Sequence, residues 1–259
     1  MRDPGLSDAI RAAGGVSELA RRVGISQPSV SNWNRVPAER VTLVEKATGI
    51  ARETLRPDLY SGDKRVAGDI DEIDSARADE YALLAALLMR APSAVLLDRI
   101  AQLKADVSPL GVAHAALAES ASSTTTEKVE REFFDLFIGI GRGELLPYGS
   151  YYLAGFLHER PLARLRDDLN RLGVERSDGV YEPEDHVAIL CEVMAGLINR
   201  KFAAAAGADR MLFEKHLKPW VGRFFVDLEH AEGANFYRRV GTLGRTFIEI
   251  ESEAFALAS

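Results

Sequence analysis

The sequence predicts an all-α protein in which a small helix-turn-helix module precedes a larger helical body. Ala, Leu, Glu and Arg dominate most of the chain, and alternating runs of β-branched residues are few. Apolar residues recur at the three- and four-residue spacing of helices that bury one face. The clearest stripes are Val187, Leu190, Met194, Leu197 and Ile198; Phe213, Leu217, Trp220, Phe224 and Leu228; and Phe236, Val240, Leu243, Phe247 and Ile250.

A change of composition and charge divides the chain into two predicted domains. A passage rich in Pro, Gly and Asp begins just before residue 60, so we predict a head at residues 1–60, a linker at 61–73 and a body at 74–259. Residues 1–66 contain 11 Lys and Arg against 8 Asp and Glu, whereas the rest of the chain contains 21 against 31. A basic head favours a polyanionic partner and an acidic body favours cationic partners, although an acidic surface also serves solubility alone.

Several classes of protein are disfavoured by the sequence. No apolar run approaches the roughly 20 residues of a membrane span and no signal-peptide pattern opens the chain, so we expect a cytoplasmic protein that does not enter the membrane. Cys191 lies in an apolar helical pattern and is expected to be a buried structural thiol. The five histidines are scattered, and neither HExxH nor GxSxG occurs. We therefore expect no enzyme, no catalytic residues, no metal site and no cofactor.

The head contains a helix-turn-helix pattern between Val16 and Arg35, which reads VSELARRVGISQPSVSNWNR. Ala20 is small where two helices approach closely, and Gly24 permits a left-handed turn. Ser26 is placed to cap the next helix. The shared core is expected to consist of Leu19, Val23, Ile25, Val30 and Trp33.

The second helix of this pattern carries the polar side chains that read DNA bases. Gln and Asn pair bidentately with adenine in the major groove, so Gln27, Ser31 and Asn32 are the candidate base readers. Arginines suit phosphates, which give affinity and register rather than sequence choice. The candidate phosphate contacts are Arg21, Arg22, Arg35 and Arg40, each of which also fits a simple solvated surface.

The run GGVSELARRVGISQPSVSNWNRVPAERV resembles the Cro-like and YdaS-like antitoxin helix-turn-helix families over roughly residues 5–60. The resemblance implies binding of double-stranded operator DNA, usually as a dimer. A helix-turn-helix that has lost DNA binding and serves protein contacts is the alternative.

The body has an unusual aromatic stretch at residues 132–162, EFFDLFIGIGRGELLPYGSYYLAGFLHERPL. Its glycines alternate, and we expect Tyr148, Tyr151 and Tyr152 in a loop that binds a ligand. No strand precedes the glycines and no Lys-Ser/Thr follows them, which argues against a nucleotide loop. Phe133 and Phe137 are assigned to the core.

A second feature, Glu182-Pro183-Glu184-Asp185-His186, directly precedes the apolar stripe that begins at Val187. Pro at the first position of a helix and carboxylates in its first turn explain much of it as capping. His186 is less well explained in this way.

Together these features resemble the TorD/DmsD family of redox-enzyme maturation chaperones over about residues 74–255. The matching residues are Glu132-Phe133-Phe134-Asp135-Leu136-Phe137 with Gly139 and Gly141, Leu146-Pro147-Tyr148, Ser150, Tyr152-Leu153, and Glu182-Pro183-x-Asp185-His186. The resemblance implies an all-helical TorD-like chaperone domain that binds the twin-arginine leader or apo-form of a molybdoenzyme catalytic subunit. It places Asp185 and His186 in the peptide-binding pocket, with charge from Glu182 and apolar walls from Tyr148, Tyr151 and Tyr152. The fused head departs from the usual pattern of that family.

Two functions follow from these resemblances. The first is a chaperone for a molybdoenzyme, with formate dehydrogenase as the first candidate client, whose DNA-binding head couples client status to transcription. The second is a transcriptional regulator whose TorD-like body is a ligand sensor or dimerisation domain. The regulator predicts a closed apolar pocket in the body, and the chaperone predicts an open acidic groove.

Overall fold

The structure is a computed structural model that describes residues 3–56, 71–175 and 181–257. Within these ranges every regular element is helical, and the only β-type pairing is one isolated antiparallel bridge between Tyr148 and His186. The predicted all-α class is confirmed. None of the helices in the described part of the chain is long and apolar enough to cross a membrane.

The chain divides into two compact units, Met1–Asp69 and Ile70–Ser259. The predicted linker at residues 61–73 lies outside the described residues as far as residue 70. Its last part is helical, because Asp71 caps the helix that begins at Glu72 by accepting a hydrogen bond from the backbone N–H of Asp74 at 2.7 Å.

The N-terminal unit, here called the head, is a bundle of short helices. Its helices are α1 (Pro4–Ala13), α2 (Val16–Val23), α3 (Gln27–Ser31), α4 (Val41–Thr48) and α5 (Arg52–Leu55), with a 3₁₀ turn at Ala38–Arg40.

The turn between α2 and α3 has the predicted helix-turn-helix geometry. Gly24 ends α2 with φ +74°, a left-handed conformation that disfavours other residues, and the Ile25 N–H donates back to the Ala20 carbonyl at 3.0 Å. Leu19 and Val30 are fully buried, and Trp33 packs partly buried against the same core. The predicted core of the motif is confirmed.

Ser26 is the N-cap residue of α3, as predicted, but the side-chain hydrogen bond expected of a cap is absent. The Ser26 side chain makes no hydrogen bond to the backbone of α3, because its Oγ lies 2.7 Å from the Ser29 Oγ and pairs with that hydroxyl instead.

The C-terminal unit, here called the body, is built from longer helices. They are α6 (Glu72–Met89), α7 (Ala94–Ile100), α8 (Pro109–Ser122), α9 (Thr126–Phe133) with a π turn at Phe134–Ile138, α10 (Gly149–Ala154), α11 (Arg160–Arg171), α12 (Val187–Ile198), α13 (Ala208–Leu212) with a π turn at Phe213–Leu217, α14 (Val221–His230) and α15 (Phe236–Leu257).

Helix α12 forms the centre of the body. It packs along α6, while α15 packs against α14 and α8. Nearly all of α12 is buried, which explains why its sequence is apolar around most of its circumference. Cys191 is fully buried there, and burial raises the pKa of its thiol to about 12, as expected for a structural cysteine. The apolar stripes are confirmed as core except at Ile250, which is 40% exposed.

Candidate functional site

The acidic signature at residues 182–186 lies in a turn before α12 rather than in its first helical turn. Helix α12 begins at Val187, and the His186 N–H donates to the Pro183 carbonyl at 3.0 Å. Pro183 is therefore not the first residue of the helix, and the capping interpretation based on it is wrong. His186 caps the helix, because its Nδ1 accepts a hydrogen bond from the Ala188 N–H at 3.1 Å.

The segment at residues 147–150 holds this turn from the other side. The Gly149 N–H donates to the Asp185 carbonyl at 2.9 Å, and the Val187 N–H donates to the Pro147 carbonyl at 2.8 Å. These backbone hydrogen bonds join the two segments that the sequence singled out separately.

Asp185 is a buried carboxylate with one oxygen free. Asp185 is 3% exposed, and its Oδ2 accepts a hydrogen bond from the Ser150 N–H at 2.7 Å. The Oδ1 atom and the nearby Ser150 Oγ are both buried and have no hydrogen-bond partner in the described part of the chain. A buried carboxylate is costly unless it is fully hydrogen-bonded or paired, so this oxygen is ready to accept a donor.

His186 is buried and held neutral. Burial lowers its pKa to about 4, against the opposing charges of Glu182 and Asp185. Its ring packs edge-on against Tyr148, with 5.0 Å between the centroids. The Tyr148 hydroxyl donates to Glu182 Oε2 at 2.6 Å, and burial and this carboxylate raise the pKa of Tyr148. Glu182 and Tyr148 therefore satisfy each other.

Asp185 lines a cavity of about 670 Å³ between α10, α11 and the start of α14. We call it the Asp185 cavity. It is lined by Gly149, Leu153, Pro161, Arg164, Leu165, Asp167, Asp168, Arg171, Asp185, Lys215, His216, Pro219 and Trp220. Three cationic side chains, Arg164, Arg171 and Lys215, accompany three acidic ones, so the lining is not the acidic groove that the chaperone hypothesis predicts.

The cavity wall is built on a hydrogen-bonded cluster that sequence reasoning missed. His216 Nε2 lies 2.9 Å from Asp168 Oδ2, and the Trp220 indole N–H donates to the His216 carbonyl at 2.6 Å. Trp220 contacts Gly149 so closely that an added Cβ would lie 3.1 Å from its Nε1. The sequence gives no signal for this cluster, because Asp168 is distant in the chain from His216 and Trp220 and the three residues match no motif.

Tyr151 and Tyr152 lie on the short helix α10, not in a loop, and neither lines the Asp185 cavity. The Tyr151 hydroxyl accepts from Arg142 Nη2 at 3.0 Å, and the Tyr152 hydroxyl donates to Asp227 Oδ2 at 2.8 Å. Tyr152 also packs on Trp220, with 5.5 Å between the centroids.

In the head, the predicted base readers lie at both ends of α3, because Gln27 begins the helix, Ser31 ends it and Asn32 follows it. Gln27 and Asn32 are exposed, and Gln27 Nε2 donates to the Ser31 Oγ at 2.8 Å. Amide and hydroxyl groups on an exposed helix are available for base edges, and this side-chain bond holds two of them in one orientation.

The four candidate phosphate-binding arginines differ in their surroundings. Arg21 and Arg22 both pair with Glu18, at 2.5 Å and 3.1 Å. Arg35 is exposed and Arg40 is half-buried next to α4. Pairing with Glu18 fixes the first two guanidinium groups and reduces their net positive field.

No group of three or more His, Cys, Asp or Glu side chains in residues 3–56, 71–175 and 181–257 is placed to hold a metal ion. The fully buried Glu80 Oε1 is another polar atom without a partner in these ranges, although its Oε2 lies 2.9 Å from His114 Nε2.

Comparison with known families supports both resemblances. Residues 103–226 match the family model described as nitrate reductase delta subunit, and residues 6–63 match the model described as bacterial toxin YdaS. The body is TorD-like and the head is YdaS-like.

Among curated relatives, the TorD-like body matches the chaperone protein TorD of Aliivibrio fischeri at 27% identity over 139 residues, which is 50% of this chain and 65% of that protein. It matches the chaperone protein TorD of Vibrio cholerae at 28% identity over 127 residues, 46% of this chain and 58% of that protein. The chain thus spans less than two thirds of these relatives' length. They are named as chaperones, which agrees with the expectation that the chain is not an enzyme.

A solved structure, a putative redox enzyme maturation protein from Archaeoglobus fulgidus, also aligns with the chain. It shares 18% sequence identity with a TM-score of 0.45, and the alignment covers 73% of this chain and 99% of the other.

Proposed function

We propose that the body is a cytoplasmic chaperone that binds the twin-arginine leader or apo-form of a molybdoenzyme catalytic subunit, with formate dehydrogenase as the first client to test. The observation that carries this proposal is the free Oδ1 of Asp185, buried at the wall of an open cavity. The kinship with TorD chaperones supports the maturation role.

The chemistry of the cavity suits a guanidinium group. Oδ1 of Asp185 is an acceptor for an N–H donor and has no partner among the described residues. The indole of Trp220 is buried behind the wall of the same cavity and holds that wall in place. Leu153 lines the cavity, is 43% exposed and suits the apolar residues that follow the arginines in a leader.

The roles of the remaining predicted site residues follow from their contacts. We assign Glu182, Tyr148 and His186 to positioning Asp185, because their polar atoms are used within the turn. Tyr151 and Tyr152 lie outside the Asp185 cavity, and we keep them as contacts for a longer client segment.

The test is binding of a 20-residue peptide that contains an Arg-Arg pair and a following apolar stretch, measured by calorimetry with the full-length protein. Asp185→Asn keeps the shape and removes the charge, so the dissociation constant should rise at least tenfold, about 1.4 kcal/mol. The exposed Asp98→Asn is the matched control. A change below twofold in a folded Asp185→Asn variant would remove the carboxylate from the site.

We further propose that the head binds double-stranded DNA as a dimer and reports client status to transcription. The YdaS-like match and the exposed amides of α3 support this role. Sites selected from random duplex DNA by the full-length protein should be lost by Gln27→Ala with Asn32→Ala, but retained by the exposed Thr42→Ala. If the double variant selects the same sites as the parent, α3 does not read the bases.

A transcriptional regulator whose body senses a ligand or dimerises is the second candidate, and the YdaS-like head favours it. Purification of the intact protein from its native cells separates the two candidates. A co-purifying molybdoenzyme subunit with a twin-arginine leader supports the chaperone, whereas specific DNA without such a client supports the regulator.

A further inference from the structure

A second cavity, of about 390 Å³, lies on another face of α11 and of the acidic signature. Glu184 lines this cavity, whereas its neighbour Asp185 lines the first. Likewise, Leu165 and Asp168 of α11 face the first cavity, and Leu169 faces the second. We call the second cavity the α11–α12 groove. Its volume is in the range of ligand sites in proteins.

The floor of the groove is apolar and fixed. Ile189 and Val193 lie four residues apart on one face of α12, and Leu169 and Val174 face them from α11 and the residues that follow it. Phe202 completes the floor. Its ring packs so closely on Gly196 that an added Cβ there would lie 2.4 Å from a ring carbon. The floor is therefore part of the packed body, ready to receive an apolar side chain without rearrangement.

The rim of the groove is acidic. Glu175 and Glu192 are exposed and have no hydrogen bond or ion pair with any described residue. Glu184 is already paired with Arg166, whose Nη2 lies 2.8 Å from its Oε2. After this pairing two glutamates remain uncompensated, so the rim presents a net negative charge around an apolar floor.

We propose that the α11–α12 groove is a second peptide-docking site, which takes an apolar side chain flanked by Arg or Lys from the client. The floor supplies apolar contact, and Glu175 and Glu192 supply charge complementarity to the flanking cations. The inference extends the proposed client binding, but it does not depend on Asp185. A client that occupied both cavities would gain avidity from two weak contacts.

The acidic rim favours a cationic peptide over nucleic acid and over a neutral apolar molecule. Nucleic acid would bring phosphates towards two unpaired carboxylates, which is repulsive. A neutral apolar molecule would bind the floor without using the rim, so its affinity would not change when the rim charge is reversed.

The experiment is a methyl NMR titration of the full-length protein, labelled at Ile, Leu and Val, with the peptide acetyl-Gly-Arg-Leu-Phe-Arg-Gly-amide. We expect saturable shifts of the Ile189, Val193 and Leu169 methyl groups. A matched peptide with Glu in place of both Arg residues should bind at least tenfold more weakly, and so should one with Ser-Ser in place of Leu-Phe. Absence of saturable shifts at these methyl groups, or equal binding of the Glu peptide, would overturn the proposal.

Variants at the rim test the charge without disturbing the core, because both glutamates are exposed. Glu175→Lys with Glu192→Lys should weaken the Arg peptide at least tenfold at low salt, while Glu119→Lys on α8 should leave it within twofold. Asp185→Asn should leave the groove shifts unchanged, so that failure of the first site and failure of the groove are separate results. Loss of the groove shifts in Asp185→Asn, or unchanged affinity in the rim variant, would contradict the assignment.

Discussion

Two adjacent residues of the signature, Asp185 and His186, have opposite tasks. The carboxylate of Asp185 keeps a free oxygen at a cavity, while the ring of His186 is used inside the fold to cap α12. The sequence identified both residues through a family resemblance, but it did not separate their roles. That separation depends on which polar atoms are already hydrogen-bonded within the fold, and a linear pattern does not contain this information.

The cap made by His186 predicts a stability effect. His186→Ala removes the acceptor of the Ala188 N–H and the contact with Tyr148, so unfolding in urea should show a loss of roughly 1–2 kcal/mol. His186→Asn supplies an oxygen at the same end of the helix and should recover part of this loss. Its affinity for the twin-arginine peptide should stay within threefold of the parent. An equal loss of stability in both variants would show that the cap is not the source.

His114 predicts a pH dependence of stability. Its hydrogen bond to Glu80 raises its pKa above the ordinary value near 6.5, because the carboxylate favours the charged ring. The folded protein then holds this proton more tightly than the unfolded chain. The stabilisation is complete below about pH 6.5 and is lost as the pH rises through the folded pKa.

The measurement is the free energy of unfolding in urea between pH 5.5 and 9, for the parent and His114→Gln. The difference between the two should shrink as the pH rises. The exposed His230→Gln serves as the control. The pH dependence due to His186 has the opposite sign, because its lowered pKa reduces stability as the pH falls from 6.5 towards 4. His186 is present in every variant, so this contribution cancels in the difference between them. A pH-independent difference would rule out the proton linkage.

At the scale of elements, helices were predictable and their ends were not. The apolar spacing of α12 and α15 depends on local sequence, and both helices formed where the stripes predicted them. The stripe from Phe213 to Leu228 is divided between a π turn and α14, with a break before Val221. Helix ends depend on partners distant in the chain. Pro183 is a good first residue for a helix, yet hydrogen bonds to Pro147 and Gly149 hold the turn outside α12. The same long-range pairing assembled the Asp185 cavity from segments that the sequence showed only separately.

Glu132 forms such a long-range cap, and its hydrogen bonds predict how much the cap contributes to the free energy of unfolding. Its two carboxylate oxygens accept hydrogen bonds from the backbone N–H groups of Asn235, Phe236 and Tyr237, at 2.6–3.1 Å, at the start of α15. A carboxylate at this position satisfies groups that the helix itself leaves unpaired and favours the helix dipole.

Glu132→Ala should therefore lower the free energy of unfolding by roughly 2–3 kcal/mol, because hydrogen bonds to a charged group are the stronger ones. Glu132→Gln keeps one acceptor oxygen and should lose less. Glu130→Ala, exposed on the same helix α9, is the matched control. Equal urea midpoints for Glu132→Ala and Glu130→Ala would show that α15 does not need this cap.

For the whole molecule, the chain combines two compact units of different charge and different family kinship. Both resemblances could be recognised in the sequence, because each unit carries its own short motif. Coupling between the units has no such signature. It requires a client that binds the DNA-competent and DNA-incompetent states with different affinities.

Coupling makes a quantitative prediction, because linkage between two binding sites is reciprocal. If the twin-arginine peptide changes the affinity of the full-length protein for its selected DNA by some factor, saturating DNA must change the affinity for the peptide by the same factor. We expect this factor to differ from one by at least threefold, as measured by fluorescence anisotropy with labelled DNA and then with labelled peptide. Gln27→Ala with Asn32→Ala should abolish the effect of DNA on the peptide and leave peptide binding itself intact. A factor of one in both directions would mean that the head and the body bind independently. Client occupancy would then not change the affinity of the head for DNA.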